Sequence, residues 1–200
     1  MATTLSQGGQ RILISVPHRR ERSVADEDYP GIDRERAHPH AQALIPDDFF
    51  WDGGDDLSPF GSDEGFTALA EWRAWRAKHP RAAVRSCLQW VVRSVGEMPL
   101  AAYTDALASP ARVQQLVADP QVDDWYEIFT LDISIIATVL GQFVDEGVVD
   151  ASALPFLQRA LNRQSLYAAA LPTWDYAPQW AARVARLTEL TAEIAAHHLH

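Results

Sequence analysis

The segment Val84-Arg-Ser-Cys-Leu-Gln-Trp-Val-Val-Arg-Ser-Val95 has the clearest periodicity in the chain and decides its fold class. Its apolar residues lie at positions i, i+3, i+4, i+7, i+8 and i+11, which are Val84, Cys87, Leu88, Val91, Val92 and Val95. This spacing places them on one face of an α-helix. The segment therefore predicts an amphipathic helix that ends at Gly96.

Helical patterns continue on both sides of this segment. Before it, apolar residues recur every three residues until Pro80, at Phe66, Leu69, Trp72 and Trp75. After it, the stretch from Ile128 to Val144 is apolar on more than one face, which predicts the central helix of the fold. The last stripe runs from Trp180 to Ile194, with Arg183, Arg186, Glu189 and Glu193 mostly outside it. The sequence therefore predicts a mainly α protein, an irregular multi-helix bundle.

The first 36 residues have a different character. Arg11 to Val16 is short, apolar and partly β-branched, which predicts one possible short strand. From Pro17 to Arg36, charged residues alternate with Pro30 and Gly31, and large apolar side chains are nearly missing. Such a segment buries too little apolar surface to offset the entropy of ordering. We therefore expect residues 1–36 to form a flexible N-terminal arm and residues 37–200 to form one helical domain.

The charge balance narrows the class of partner. The chain has 17 Lys and Arg residues against 27 Asp and Glu residues, and its net charge is −10. A negative protein repels the phosphate backbone at long range. One short basic cluster, from His18 to Arg22, is interrupted by Glu21. The composition favours a basic protein partner over nucleic acid, and it specifies no oligomeric state.

Three features favour a cytoplasmic protein. The N-terminal residues lack the basic start and continuous apolar core of a signal peptide. The only cysteine, Cys87, has no partner for a disulfide within the chain, which fits a reducing compartment. The apolar stretch from Ile128 to Val144 contains polar residues such as Asp132 and Gln142, so we expect a buried helix and no membrane span.

The region from His38 to Glu64 has the most unusual composition. It contains seven carboxylates beside three consecutive aromatic residues, Phe49, Phe50 and Trp51. The carboxylates are Asp47, Asp48, Asp52, Asp55, Asp56, Asp63 and Glu64. Some acids are expected to cap helices or to remain in water. We expect the aromatic residues and Phe60 to pack on the helical body, with Asp55 and Asp56 projecting outward.

A metal site in residues 38–64 is the alternative interpretation of this region. His38 and His40 supply nitrogen ligands, and Asp52 and Asp56 supply oxygen ligands, with Asp47, Asp55 and Asp63 as further candidates. The spacing does not fit an EF-hand loop that starts at Asp52, because Gly54 and Leu57 occupy its third and sixth positions. The corresponding function is a metal-dependent hydrolase with a metal-activated water.

Motifs of common enzymes are missing from the sequence. It contains no Gly-x-Ser-x-Gly elbow, phosphate-binding loop, His-Glu-x-x-His motif or dinucleotide-binding glycine pattern. Cys87 lies on an apolar stripe, which indicates structural burial. We therefore predict no cofactor and favour a non-enzyme. The predicted partner-binding residues are Asp52, Asp55, Asp56 and Trp75, the last because Trp75, unlike the core residue Trp72, is free to face a partner.

Three short runs carry a resemblance to a known family. They are Ala37-His-Pro-His40, Phe49-Phe-Trp-Asp52 and Asp56-Leu-Ser-Pro-Phe-Gly-Ser-Asp-Glu64, followed by Trp72. This region, from Ala37 to Trp75, resembles the bacterial YfeS-like uncharacterised proteins. The resemblance implies a bacterial cytoplasmic protein without an assigned reaction. Together these features predict a non-catalytic protein-interaction or immunity-like module with an acidic and aromatic surface.

Overall fold

A computed structural model of the protein describes residues 31–119 and 126–197. Helices make up 69% of the structure, and the described residues contain no strand. The prediction of a mainly α multi-helix bundle is therefore confirmed. The predicted strand from Arg11 to Val16, and most of the predicted N-terminal arm, lie outside the described residues.

Eight α-helices form the described part of the chain. They are α1 (Pro39–Leu44), α2 (Asp48–Trp51), α3 (Asp63–Lys78), α4 (Val84–Val95), α5 (Pro110–Ala118), α6 (Ile133–Glu146), α7 (Leu154–Ala170) and α8 (Ala177–His197). Short 3-10 turns occupy Arg34–Arg36 and Leu100–Ala102, and a π-helical segment, Tyr126–Asp132, leads directly into α6.

Local sequence signals explain where several helices begin and end. The Ser62 hydroxyl accepts a hydrogen bond from the Gly65 N–H at the start of α3, and Ser109 does the same for Arg112 at the start of α5. Gly147 ends α6 in a left-handed conformation with φ 69°. A side chain there would also collide with the His38 ring, so glycine suits both the backbone and the packing.

Helix α6 is the centre of the bundle. It packs against α3, α4 and α7, and every residue from Ile133 to Val144 is buried. The span Ile128–Glu146 is long and apolar enough to cross a membrane, but 89% of that stretch is buried inside the fold. Such burial is typical of a core helix, because a lipid-facing helix exposes its apolar side chains.

A buried charged network connects the start of α6 to α7. The Tyr103 hydroxyl donates to Asp132 Oδ1 at 2.6 Å, and Arg163 Nη1 donates to the same oxygen at 3.1 Å. The side chains of Asp132 and Arg163 are 0% and 1% exposed. Burial, together with the charge of Asp132, raises the pKa of Tyr103 well above its ordinary value, so the phenol remains protonated. The network therefore has a structural role.

The packed body begins before the predicted boundary at residue 37. Ile32 is buried in the core, and the Gly31 carbonyl accepts a hydrogen bond from Arg73 Nη1 at 2.9 Å. Residues 31–36 therefore belong to the helical domain and not to a flexible linker, which corrects the predicted domain boundary. A single buried isoleucine produces no periodic pattern, which explains why sequence reasoning did not detect it.

Candidate interaction surface

Two arginines of α8 hold the acidic loop, residues 47–64, against the bundle. Arg183 Nε donates to the Leu57 carbonyl at 2.7 Å. One helical turn later, Arg186 forms two hydrogen bonds with the carboxylate of Asp47, at 3.0 and 2.6 Å. A bidentate pair of this kind fixes both distance and orientation. The loop is therefore fastened to α8 at its first residue and again at its middle.

These contacts change the titration of both partners. The hydrogen bonds from Arg186 lower the pKa of Asp47 against the opposing effect of burial, and they raise the pKa of Arg186. Burial lowers the pKa of Arg183 to about 10, while the charge of Asp55 acts in the opposite direction. Asp47 and both arginines are ionised at neutral pH, so the loop is held by charge-assisted contacts.

The aromatic residues of the loop form its inner side, as expected. Phe50 and Phe60 are fully buried and make an edge-to-face contact with ring centroids 5.4 Å apart. Phe49 and Trp51 are half-buried at the edge of the core. The Trp51 indole N–H donates to the Ile45 carbonyl at 3.1 Å. The aromatic run therefore anchors the loop, although two of its members remain partly in contact with solvent.

The turn between Asp52 and Asp56 lies against the start of α3. A Cβ atom on Gly61 would collide with the backbone of Asp55 and would lie 3.0 Å from the Asp52 carbonyl oxygen. Only glycine permits this close approach without a backbone shift. The carboxylate of Asp52 accepts a hydrogen bond from the Gly54 N–H within the turn. The turn and the first residues of α3 are therefore neighbours.

Asp55 does not project outward as predicted. Its Oδ1 accepts a hydrogen bond from the Leu57 N–H at 2.9 Å, and the residue is half-buried. Its charge also acts on the buried guanidinium of Arg183. Asp55 therefore helps to hold the turn and to compensate a buried cation, while Asp56 remains exposed beside it.

The remaining groups form what we call the acidic surface, which consists of Asp52, Asp56, Asp63 and Phe66. All four residues are exposed, and Phe66 is 39% exposed. Asp63 and Phe66 are three residues apart on α3, which places them on the same face of that helix. Asp56 and Asp63 form no ion pair within the described part of the chain. This surface combines exposed carboxylates with one aromatic ring.

Trp75 does not belong to this surface. It is half-buried and stacks between the His79 ring at 4.7 Å and the Trp72 ring at 6.1 Å. It lies twelve residues after Asp63 on α3, a distance of about 18 Å along the helix. Its assignment as a partner-binding residue therefore stays a prediction separate from the acidic surface.

The structure uses the candidate metal ligands in other ways. His38 Nδ1 accepts a hydrogen bond from the His40 N–H, and His40 Nδ1 lies 2.8 Å from the Gly147 carbonyl oxygen. Asp52 is engaged in its own turn, and Asp56 is exposed on the loop. Across residues 31–119 and 126–197, no group of three or more His, Cys, Asp or Glu residues is placed to hold a metal ion.

A cavity of about 360 Å³ lies elsewhere, between the residues before α5 and the start of α7. The lining residues are Asp105, Ala108, Pro155, Gln158, Arg159 and Asn162. Its two charged residues neutralise each other, because Arg159 Nη2 lies 2.7 Å from Asp105 Oδ1.

Cys87, the residue with the most reactive side-chain chemistry, is fully buried, and burial raises the pKa of its thiol to about 12.

Sequence reasoning missed the two arginines of α8. The pattern placed Arg183 outside the apolar stripe, whereas the structure buries it to 4% exposure. A signal was present, because Arg183 follows Trp180 by three residues and precedes Leu187 by four, which is the spacing of the buried face.

No family model, curated protein or solved structure matches the chain.

Proposed function

We propose that this protein is a non-catalytic, immunity-like interaction module whose acidic surface binds a basic surface of another protein. One observation carries the proposal. The carboxylates of Asp56 and Asp63 are exposed and form no ion pair within the described residues, and Asp63 shares a face of α3 with the exposed ring of Phe66. The fold uses other acids of the same loop, such as Asp47, for its own stability. The remaining acids are free for recognition.

The composition of the surface suits recognition by charge and by contact. Carboxylates at the rim of an interface steer a basic partner and orient it, and they add little to folding while they remain in water. Phe66 supplies an apolar contact that excludes water at the centre of such an interface. The net charge of −10 adds a long-range attraction for a basic partner.

The reactive side chains support an interaction role over catalysis. Cys87 is buried with a raised pKa, and the Tyr103–Asp132–Arg163 network is closed to solvent. A cytoplasmic location is part of the proposal, and its support is the solitary thiol of Cys87. The resemblance of residues 37–75 to the bacterial YfeS-like proteins, which have no assigned reaction, agrees with the same role.

The test is affinity capture with the tagged full chain in extracts of the native cell, followed by mass-spectrometric identification and binding measurements with each purified candidate. The variant is Asp52→Asn with Asp56→Asn. The matched control is Glu97→Gln with Asp175→Asn, because these acids are exposed elsewhere in the described chain and the net charge changes equally. We expect the first variant to weaken binding at least tenfold and the control to bind as the wild type does.

Equal loss of binding in both variants would show that only the overall charge matters, and unchanged binding in both would remove the acidic surface from the function. A Phe66→Ala variant separates the contribution of the aromatic ring to binding from that of the carboxylates. If Phe66 packs in the interface, its removal should speed dissociation, whereas removal of the carboxylates should mainly slow association.

A further inference from the structure

A second charged surface covers the exposed side of α4. Arg85, Gln89 and Arg93 lie four residues apart along this side, with about 6 Å between successive residues. Trp90 lies beside them and is 43% exposed. Lys78 and Arg81, in the connection from α3 to α4, add two further exposed cations. We call Lys78, Arg81, Arg85, Trp90 and Arg93 the basic surface.

These cations differ from the other arginines of the fold. Five other arginines pair with carboxylates, as in Arg73–Asp145, Arg76–Glu146, Arg159–Asp105, Arg163–Asp132 and Arg186–Asp47. Within the described residues, none of the four cations of the basic surface has a carboxylate partner. Arg85 rests over the Phe156 ring at 5.3 Å. In a chain with 27 acidic residues, this concentration of unpaired cations does not reflect a shortage of acids.

Trp90 is a second, independent feature of the same face. The buried side of α4 already contains Val84, Cys87, Leu88, Val91 and Val92, so folding does not require an aromatic residue on the opposite side. A large exposed ring among cations is typical of a surface that becomes covered in a complex.

The acidic and basic surfaces are complementary. The acidic surface holds three exposed carboxylates and the exposed ring of Phe66, and the basic surface holds four exposed cations and the exposed ring of Trp90. We propose that the basic surface of one copy of this chain docks on the acidic surface of a second copy. This inference rests on the proposed function, because it names a partner for the acidic surface.

Docking between unlike surfaces has a geometric consequence. After the first contact, one copy retains a free acidic surface and the other retains a free basic surface, so assembly is head-to-tail and continues to a closed ring or an open chain. The net charge of −10 opposes association at long range. At an ionic strength of about 0.15 M this repulsion is screened beyond about 8 Å, while contacting charges still attract. Assembly should therefore weaken at high salt, where the contacts are also screened.

The test is analytical ultracentrifugation of the full chain with two variants. One variant neutralises the acidic surface through Asp52→Asn, Asp56→Asn and Asp63→Asn. The other neutralises the basic surface through Arg81→Gln, Arg85→Gln and Arg93→Gln. We expect the average mass of the wild type to rise with concentration, and each variant alone to remain monomeric. An equimolar mixture of the variants should form a 1:1 heterodimer and stop there, because it joins the only two intact surfaces.

A Trp90→Ser variant should weaken self-association at least tenfold, and circular dichroism should verify that every variant remains folded. A wild type that stays monomeric up to about 300 µM, where mass action favours even weak complexes, overturns the inference. Equal self-association of all variants, or a mixture without heterodimer, overturns it as well. If the chain is monomeric but its acidic surface still binds another basic protein, the proposed function stands and only the docking of two copies is wrong.

Discussion

Pairs of arginine and carboxylate occur in the buried network around Asp132 and in the acidic loop. The two pairs differ in burial, and we expect them to differ in how much they contribute to the stability of the fold. In the network, Asp132 and Arg163 are completely enclosed and meet at 3.1 Å. In the loop, the side chains of Arg186 and Asp47 form a closer pair at 2.6 Å and remain 25% and 28% exposed. Enclosure requires that every charge be compensated inside the protein. At the surface, water solvates the charges of the remaining acids, so these carboxylates can bind a partner.

The largest effect is expected from Arg163→Met. This change removes the cation beside Asp132 and leaves a buried carboxylate without its charged partner, so it should lower the free energy of unfolding by about 3–5 kcal/mol. Urea denaturation followed by far-UV circular dichroism measures the change. Adding Asp132→Asn to this variant should restore part of the loss, because the buried group is then neutral. A loss below about 1 kcal/mol for Arg163→Met would place the network among the weak surface pairs.

A smaller effect is expected from Asp47→Asn, about 1–2 kcal/mol, because a hydrogen bond to a charged partner is lost at a partly solvated site. The pKa of Asp47 is lower in the folded protein than its ordinary value of 3.8. Its contribution is therefore complete above about pH 4 to 5 and is lost as the pH falls through the folded pKa. The stability difference between wild type and variant should be constant from about pH 7 to about pH 5 and shrink in more acidic solution. Urea titrations at several pH values measure it, and a difference that grows on acidification would contradict the assignment.

Local signals predicted the helices well. The stripe in Val84–Val95 depends on residues within one or two turns of each other, and the structure contains this helix with its predicted apolar face buried. The attachment of the acidic loop depends instead on contacts between distant residues. Arg183 is 126 residues from Leu57, and Arg186 is 139 residues from Asp47. Periodicity contains no information on such pairs.

The difference between local signals and contacts of distant residues also explains why the exposure of the loop aspartates was predicted only in part. Asp56 is exposed, as expected, and Asp52 is exposed as well, because loop aspartates favour turns and water. The same expectation applies to Asp55, yet its charge acts on the buried guanidinium of Arg183, a residue outside the predicted apolar stripe of α8. Trp75 is a predicted partner-binding residue, but its ring already stacks on two neighbours in the fold. These are Trp72, on the preceding helical turn, and His79, four residues later.

The smallest change in the free energy of unfolding is expected for the exposed acids of the loop, in contrast to the loop acids that the fold itself uses. Asp52→Asn with Asp56→Asn should change the free energy of unfolding by no more than about 0.5 kcal/mol, because exposed charges contribute little to folding. After the Asp52→Asn change, the amide oxygen of the new side chain can still accept the hydrogen bond from the Gly54 N–H. Asp56 has no ion pair to lose within the described residues. Neutralising two acids also reduces the magnitude of the net charge of −10, which slightly relieves repulsion.

Asp55→Asn provides the comparison for this variant, because it removes one charge from the same turn. It removes the charge that favours the buried cation of Arg183, so it should destabilise the protein more than neutralising Asp52 and Asp56 does. Urea denaturation of both variants at neutral pH gives the difference directly. If neutralising Asp52 and Asp56 destabilises the protein as much as Asp55→Asn does, those carboxylates belong to the fold. The acidic surface would then not be a recognition site, because recognition there requires carboxylates that do not contribute to folding.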